Sequence, residues 1–261
     1  MALNNLRSTI KKKMFSHNDP SVVVYKNVSS MSQAAAEMLS QITDQAIEQR
    51  NQLLVALSGG STPRRLFQIL SGSTYAQSLP WGEMHFFWCD ERLVPSDHPE
   101  SNFGQAREWL FSQVNIPGGN LHRIRGEMAP AEAVADYRIE LGSFNDSKQK
   151  WPDFDLAFLG LGGDGHTASL FPGALTAEEE TYPALAVTAD YQGRPARRVS
   201  LTPLALNSSR NVIFMVSGKD KAHAVNQTLY GPRDLEKWPA QRIQPVDGKL
   251  IWMLDKEAAS G

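Results

Sequence analysis

The sequence predicts an α/β protein with a doubly wound, mostly parallel sheet and helices on both faces. Two observations predict it. Short apolar runs alternate with segments of helical periodicity from Val22 onwards. Several of those runs are apolar throughout, as in strands covered on both faces. With 261 residues, no internal repeat and no long linker, one domain over 21–258 holds all of them.

The elements follow in order. VVVY (22–25) reads as the first strand. Met31, Ala35, Met38, Leu39, Ile42 and Ala46 then recur at helical spacing, with Ser30 and Gln33 as a capping box. LLVAL (53–57) is a continuous apolar strand, followed by a helix that starts at Pro63 under a Ser or Thr cap and carries Leu66, Phe67, Ile69 and Leu70. MHFFW (84–88) is the next strand, with helices over 102–114 and 130–142 after it. FDLAFL (154–159), LAVT (185–188), RVSL (198–201), NVIFMV (211–216) and LIWML (250–254) complete the strands. Thr202-Pro203 reads as a capped helix start, and a further helix fits 219–230. Residues 1–20, with Arg7 and Lys11–Lys13 and no apolar core of a secretory signal, read as a disordered lead-in.

Composition narrows the function classes. Lys plus Arg is 26 against 28 Asp plus Glu, a formal net charge of −2, which gives no support to bulk nucleic-acid binding. No apolar run reaches the ~18 residues that span a membrane, so the expectation is a cytoplasmic protein. The single Cys89 lies in an apolar-aromatic run and reads as a core thiol. His17, His85, His98, His122 and His223 show no tight ligand spacing, so no metal is expected.

In such a sheet ligands sit beyond the carboxyl ends of the strands, and four loops there carry chemistry. After 53–57, Ser58-Gly59-Gly60-Ser61 opens a helix, and its backbone N–H groups suit a phosphate. After 84–88, Asp90-Glu91-Arg92 is either a solvated rim or a guanidinium fork for an anion. After 154–159 comes LGLGGDGHTASLF, which spells G-x-G-x-x-G over 160–165. A dinucleotide site needs a helix at the third glycine and an acid ending the next strand. Pro172-Gly173 breaks the chain instead, and Glu178-Glu179-Glu180 precede the next strand, so NAD is not expected. What remains is Asp164-Gly165-His166, a general base whose neighbouring carboxylate fixes its tautomer. After 211–216, Lys221 reads as a point charge for phosphate or as a solvated lysine, and Arg198 as a similar case.

With LSGGSTP (57–63), CDERLVPSDHPESNFG (89–104), FDLAFLGLGGDGHTASLFPG (154–173), RRVSLTPLALN (197–207) and VSGKDKAHAV (216–225) in order, the chain resembles the 6-phosphogluconolactonase family over about Val22 to Leu254. The resemblance implies a Rossmann-like fold of sugar-phosphate isomerase type. It also implies hydrolysis of 6-phospho-D-glucono-1,5-lactone, the second step of the oxidative pentose phosphate pathway. Glucosamine-6-phosphate deaminases share the G-x-D-G-H loop but continue H-I-A-F-N-E-P, with a catalytic glutamate. Phe171 stands at that position here, and Arg92 stands where they have tyrosine.

The expected catalytic residues are His166, Asp164 and Arg92. The expected substrate contacts are Ser58, Gly59, Gly60, Ser61, Asp90, Gly163, Gly165, Arg198 and Lys221. His166 would activate water, with the oxyanion held by N–H groups of the 162–165 loop or by Arg92. Asp164 would orient His166 or bind a sugar hydroxyl. The expected partner is a small-molecule sugar phosphate, with no cofactor, and a monomer or homodimer is compatible. A deaminase-like enzyme and a non-catalytic sugar-phosphate-binding module on the same fold are the alternatives.

Overall fold

The computed structural model describes residues 20–145 and 150–261. The expected lead-in over 1–20 falls almost wholly outside the described residues. The chain runs β1 (Ser21–Tyr25), α1 (Val28–Arg50), β2 (Leu53–Leu57), α2 (Ser61–Leu70), α3 (Ser73–Ser78), β3 (Met84–Trp88), β4 (Asp90–Arg92), α4 (Asn102–Ala106) and β5 (Leu121–His122). It continues α5 (Pro130–Gly142), β6 (Leu156–Leu159), β7 (Ala184–Thr188), β8 (Arg197–Leu201), α6 (Pro203–Leu206), β9 (Asn211–Val216), α7 (Ala222–Tyr230) and β10 (Lys249–Asp255).

Seven strands form one parallel sheet in the order β1-β10-β9-β6-β2-β3-β5. From β2 the chain proceeds to β3 and β5 on one side, and from β6 to β9 and β10 on the other. The carboxyl ends of β2 and β6 therefore flank a topological switch point, where such sheets bind ligands. Every residue of β2 and of β6 is buried, which explains their continuous apolar runs. Met31, Ala35, Leu39, Thr43 and Ala46 form the buried stripe of α1, whose small residues let it lie close on the sheet.

Several local expectations are corrected. The cap of α1 is Asn27, not Ser30: Asn27 accepts from Ser30 N–H, and Ser30 reaches back to the cap as the third helical residue. The segment 102–114 is α4 followed by a π-helical turn over Arg107–Phe111. The 219–230 segment starts as a 3-10 turn over Lys219–Lys221 before α7. Thr202 does cap α6, accepting from Ala205 N–H.

The larger difference is a second sheet, order β4-β8-β7, antiparallel throughout. The runs at 185–188 and 198–201 belong to it and not to the parallel sheet. Cys89 joins the two, donating its N–H to Leu57 and accepting from Leu201 N–H. The small sheet is thereby fixed at the carboxyl edge, over the switch point. No helix among the described residues is long and apolar enough to cross a membrane.

Candidate active site

A polar cavity of about 190 Å³ opens at the switch point. Its floor is the turn from β2 into α2, where Gly60 takes φ +107°, a backbone region that L side chains rarely adopt. The expected Ser or Thr cap is not there: Gly60 is the cap residue and α2 has no side-chain cap bond. The first N–H groups of this ten-residue helix thus have no capping side chain, which suits an anion. Gly59 has a different reason to be glycine. A Cβ there would lie 1.8 Å from Asn102 Oδ1, so the close approach is to the protein's own side chain.

The Asp90-Glu91-Arg92 run is not a solvated rim. The three residues are strand β4 and are 5%, 2% and 7% exposed. Glu91 accepts from the N–H groups of Arg92, Asn102 and Phe103 and from Ser101 Oγ, tying β4 to the start of α4. Burial pushes its carboxyl up to about 7 against those hydrogen bonds. Asp90 accepts from Ser169 Oγ at 2.7 Å and from Asn102 Nδ2 at 3.2 Å. Arg92 donates through Nη1 to the carbonyl and carboxylate of Glu100, at 2.7 and 3.1 Å.

One wall is the loop after β6. Gly165, at φ +84°, turns the chain so that His166 faces the cavity. His166 Nδ1 meets Asp164 Oδ1 at 2.6 Å. Burial raises the Asp164 carboxyl, but the hydrogen bond and charge of His166 outweigh it and the net shift is downward. With Nδ1 on the carboxylate, Nε2 is the nitrogen available to a ligand. Gly162 makes the pairing possible, because a Cβ there would lie 2.0 Å from His166 Nδ1. The His166 ring also packs against Phe171 and Tyr191, with centroids 4.5 and 4.7 Å apart.

The structure brings together Ser58, Gly59, Gly60, Ser61, Asp90, Arg92, His166, Arg198 and Lys221 around this cavity, with Asp164 behind His166. It does not bring Gly163 and Gly165 to it. Gly163 is exposed outside the lining, and Gly165 packs on Trp238. Two of the loop's N–H groups, expected as oxyanion donors, are taken up within the loop itself. Gly162 N–H donates to the His166 carbonyl at 2.7 Å, and Gly165 N–H to the Gly162 carbonyl at 3.0 Å.

Sequence reasoning missed Tyr191, Gln192 and Arg194, which line the cavity from the β7–β8 hairpin. Gln192 and Gly193 have φ +53° and +66°, and Arg194 N–H closes on the Tyr191 carbonyl, the pattern of a two-residue primed turn. Gln-Gly between two short strands was the available signal. Burial raises the Tyr191 hydroxyl pKa, and the nearby Asp164 charge adds to it.

A family model described as glucosamine-6-phosphate isomerases/6-phosphogluconolactonase matches residues 26–252. The chain is 39% identical over 243 residues to a 6-phosphogluconolactonase of Synechocystis, covering 92% of this chain and 97% of that one. It resembles the crystal structure of 6-phosphogluconolactonase from Thermotoga maritima at TM-score 0.78 and 29% identity, covering 91% of this chain and 100% of that one. A monomeric glucosamine-6-phosphate deaminase shares the fold at TM-score 0.78 and 22% identity, over 92% of this chain and 99% of its own.

Proposed function

The chain belongs to the family of glucosamine-6-phosphate isomerases and 6-phosphogluconolactonases, and from that premise we propose that it hydrolyses 6-phospho-D-glucono-1,5-lactone to 6-phosphogluconate. Relatives that carry the hydrolase name support this reading at substantial identity and coverage. The observation that carries it is the His166–Asp164 pair, with Phe171 packed on the imidazole. A deaminase would need a proton-transferring carboxylate where Phe171 stands, and a phenyl ring transfers none. A general base beside an apolar wall suits addition of water to an ester carbonyl.

The chemistry follows from the residues. The substrate phosphate rests on the start of α2 at Gly60-Ser61, with Lys221 as counter-charge. Asp164 holds the imidazole through Nδ1, and Nε2 takes a proton from water as its oxygen bonds to C1. The ring C1–O5 bond then breaks, and the proton passes from His166 to O5 as it becomes the 5-hydroxyl. The C1 acid ionises to the carboxylate. No metal or organic cofactor is required to balance these steps.

The test is hydrolysis of freshly generated lactone by wild type and His166→Ala, with the spontaneous rate subtracted. Loss of a general base lowers the rate by about 10²–10⁴. Wild type that does not exceed background ends the hydrolase reading. A fully active His166→Ala leaves the activity standing and removes His166 as the base.

A further inference from the structure

Four cationic side chains line the cavity, and three of them have acids. Arg92 and Arg194 share Glu100, at 3.1 and 3.9 Å, and Lys221 lies 3.3 Å from Asp220. Arg198 has no ion pair among the described residues, although it is the most buried of the four at 2% exposure. Its Nε donates to the Pro195 carbonyl at 3.2 Å, while Nη2 is buried without a hydrogen-bond partner. Burial holds the guanidinium below its usual basicity, with Asp90 pulling the other way and Arg92 and Arg194 adding to the depression. A buried charge without a partner is costly, so the arrangement makes sense when a ligand supplies the opposite charge.

Position says which ligand charge. Arg198 Cζ lies 5.2 Å from the centroid of the Phe171 ring, and His166 packs on that same ring at 4.5 Å. The guanidinium and the base therefore share one aromatic support. The N–H groups of Gly162 and Gly165 close the loop on itself. Arg92 Nε, like Arg198 Nη2, is buried without a hydrogen-bond partner. The charge of Arg92, however, is met by Glu100 at Nη1, while that of Arg198 has no ion pair among the described residues. We propose that Arg198 is a catalytic residue, its guanidinium receiving the oxygen anion that forms at C1 when water adds to the lactone. The assignment rests on the hydrolase reading above. Phe171 contributes by packing against the guanidinium.

The experiment compares wild type, Arg198→Lys and Arg198→Ala on fresh lactone, with background subtracted and folding checked by thermal unfolding. Binding of D-glucitol 6-phosphate, which carries the phosphate and has no C1 carbonyl, is measured alongside by calorimetry. Expected is a fall in kcat of about 10²–10³ in both variants, as for loss of an oxyanion donor, with affinity for D-glucitol 6-phosphate unchanged. Affinity weakened tenfold with kcat retained overturns the proposal and makes Arg198 a phosphate ligand. Retention of both quantities overturns it as well. If neither variant folds, the crystal structure of wild type with 6-phosphogluconate decides. The C1 carboxylate on Arg198 supports the assignment, and the phosphate there, or neither group, refutes it. Wild type at the spontaneous rate would refute the hydrolase reading itself and this assignment with it.

Discussion

Gly162→Ala tests the geometry of the base without touching either catalytic side chain. Gly162 does not have a positive φ, so alanine meets no backbone objection there. The obstacle is space: the new Cβ would lie 2.0 Å from His166 Nδ1, 2.3 Å from its Cε1 and 2.5 Å from Asp164 Oδ1. Ordinary contact is about 3.5 Å, so the imidazole must retreat by roughly 1.5 Å. Such a movement breaks the 2.6 Å bond to Asp164 or takes Nε2 out of line with the water. A misplacement of about 1 Å can cost on the order of 10²-fold in rate, and kcat should fall by at least that much. The assay is background-subtracted lactone hydrolysis, with circular dichroism and thermal unfolding to show a folded protein. Gly163→Ala is the control, because its Cβ would meet only the Asp220 carbonyl, at an ordinary 3.6 Å. A folded Gly162→Ala enzyme with wild-type kcat would refute the view that the observed pairing of His166 and Asp164 is the catalytic one. An equal fall in both variants would assign the effect to the loop as a whole.

Other perturbations have equally definite outcomes. Glu179→Ala strands Arg242, its buried partner at 2.8 Å, and should cost about 3–5 kcal/mol in chemical denaturation; a loss below about 1 kcal/mol contradicts the buried pair. Gly60→Ala meets no atom within 4 Å but forces φ +107° on an L residue. It should cost about 1–3 kcal/mol of stability and raise KM, and unaltered values of both would show that the turn does not need glycine. His85 and His122 are stacked near β5 with Nδ1 and Nε2 3.0 Å apart, and burial holds both imidazoles below their ordinary value. The repulsion between them adds to the shift at His85, while Glu140 opposes it at His122. The folded state then binds fewer protons than the unfolded one below about pH 6.5, so their contribution is complete above that pH and is lost as pH falls. The drop in Tm between neutral pH and pH 5 should be smaller in His85→Gln, and an identical drop would remove this pair as its source.

The legibility of this chain divides by the range of the interactions involved. Strands β2, β3, β6, β9 and β10 are visible because burial on both faces writes an apolar run, a purely local signal. The Gly60 turn and the Asp164–His166 pair are visible for the same reason, each lying within a few residues of a strand end. The missed cap at Asn27 is also local, but Ser30-x-x-Gln33 spells a plausible alternative one turn later. The second sheet is illegible for a different reason. Its strand β4 is Asp-Glu-Arg, which no apolar pattern marks, and β8 pairs with it across about a hundred residues of sequence. Without that pairing, Tyr191, Gln192 and Arg194 have nothing to lean over.

The same pairing bears on what the cavity binds. Arg92 and Arg198 are direct cross-strand partners in the β4–β8 ladder, both nearly buried, and like charges in that position destabilise a sheet. Glu100 neutralises one of them and is itself shared with Arg194, so the pair keeps excess positive charge. A fold that places two guanidiniums in register at its binding edge breaks a local rule of sheet construction, and such breaks concentrate at functional sites. An anionic ligand group relieves the repulsion only when it is bound. Occupancy by 6-phosphogluconate should therefore stabilise wild type by more than it stabilises Arg198→Met, compared at the same concentration of free ligand. Equal stabilisation would mean that the arginine pair is offset within the protein itself, and that its charge is not directed at the substrate.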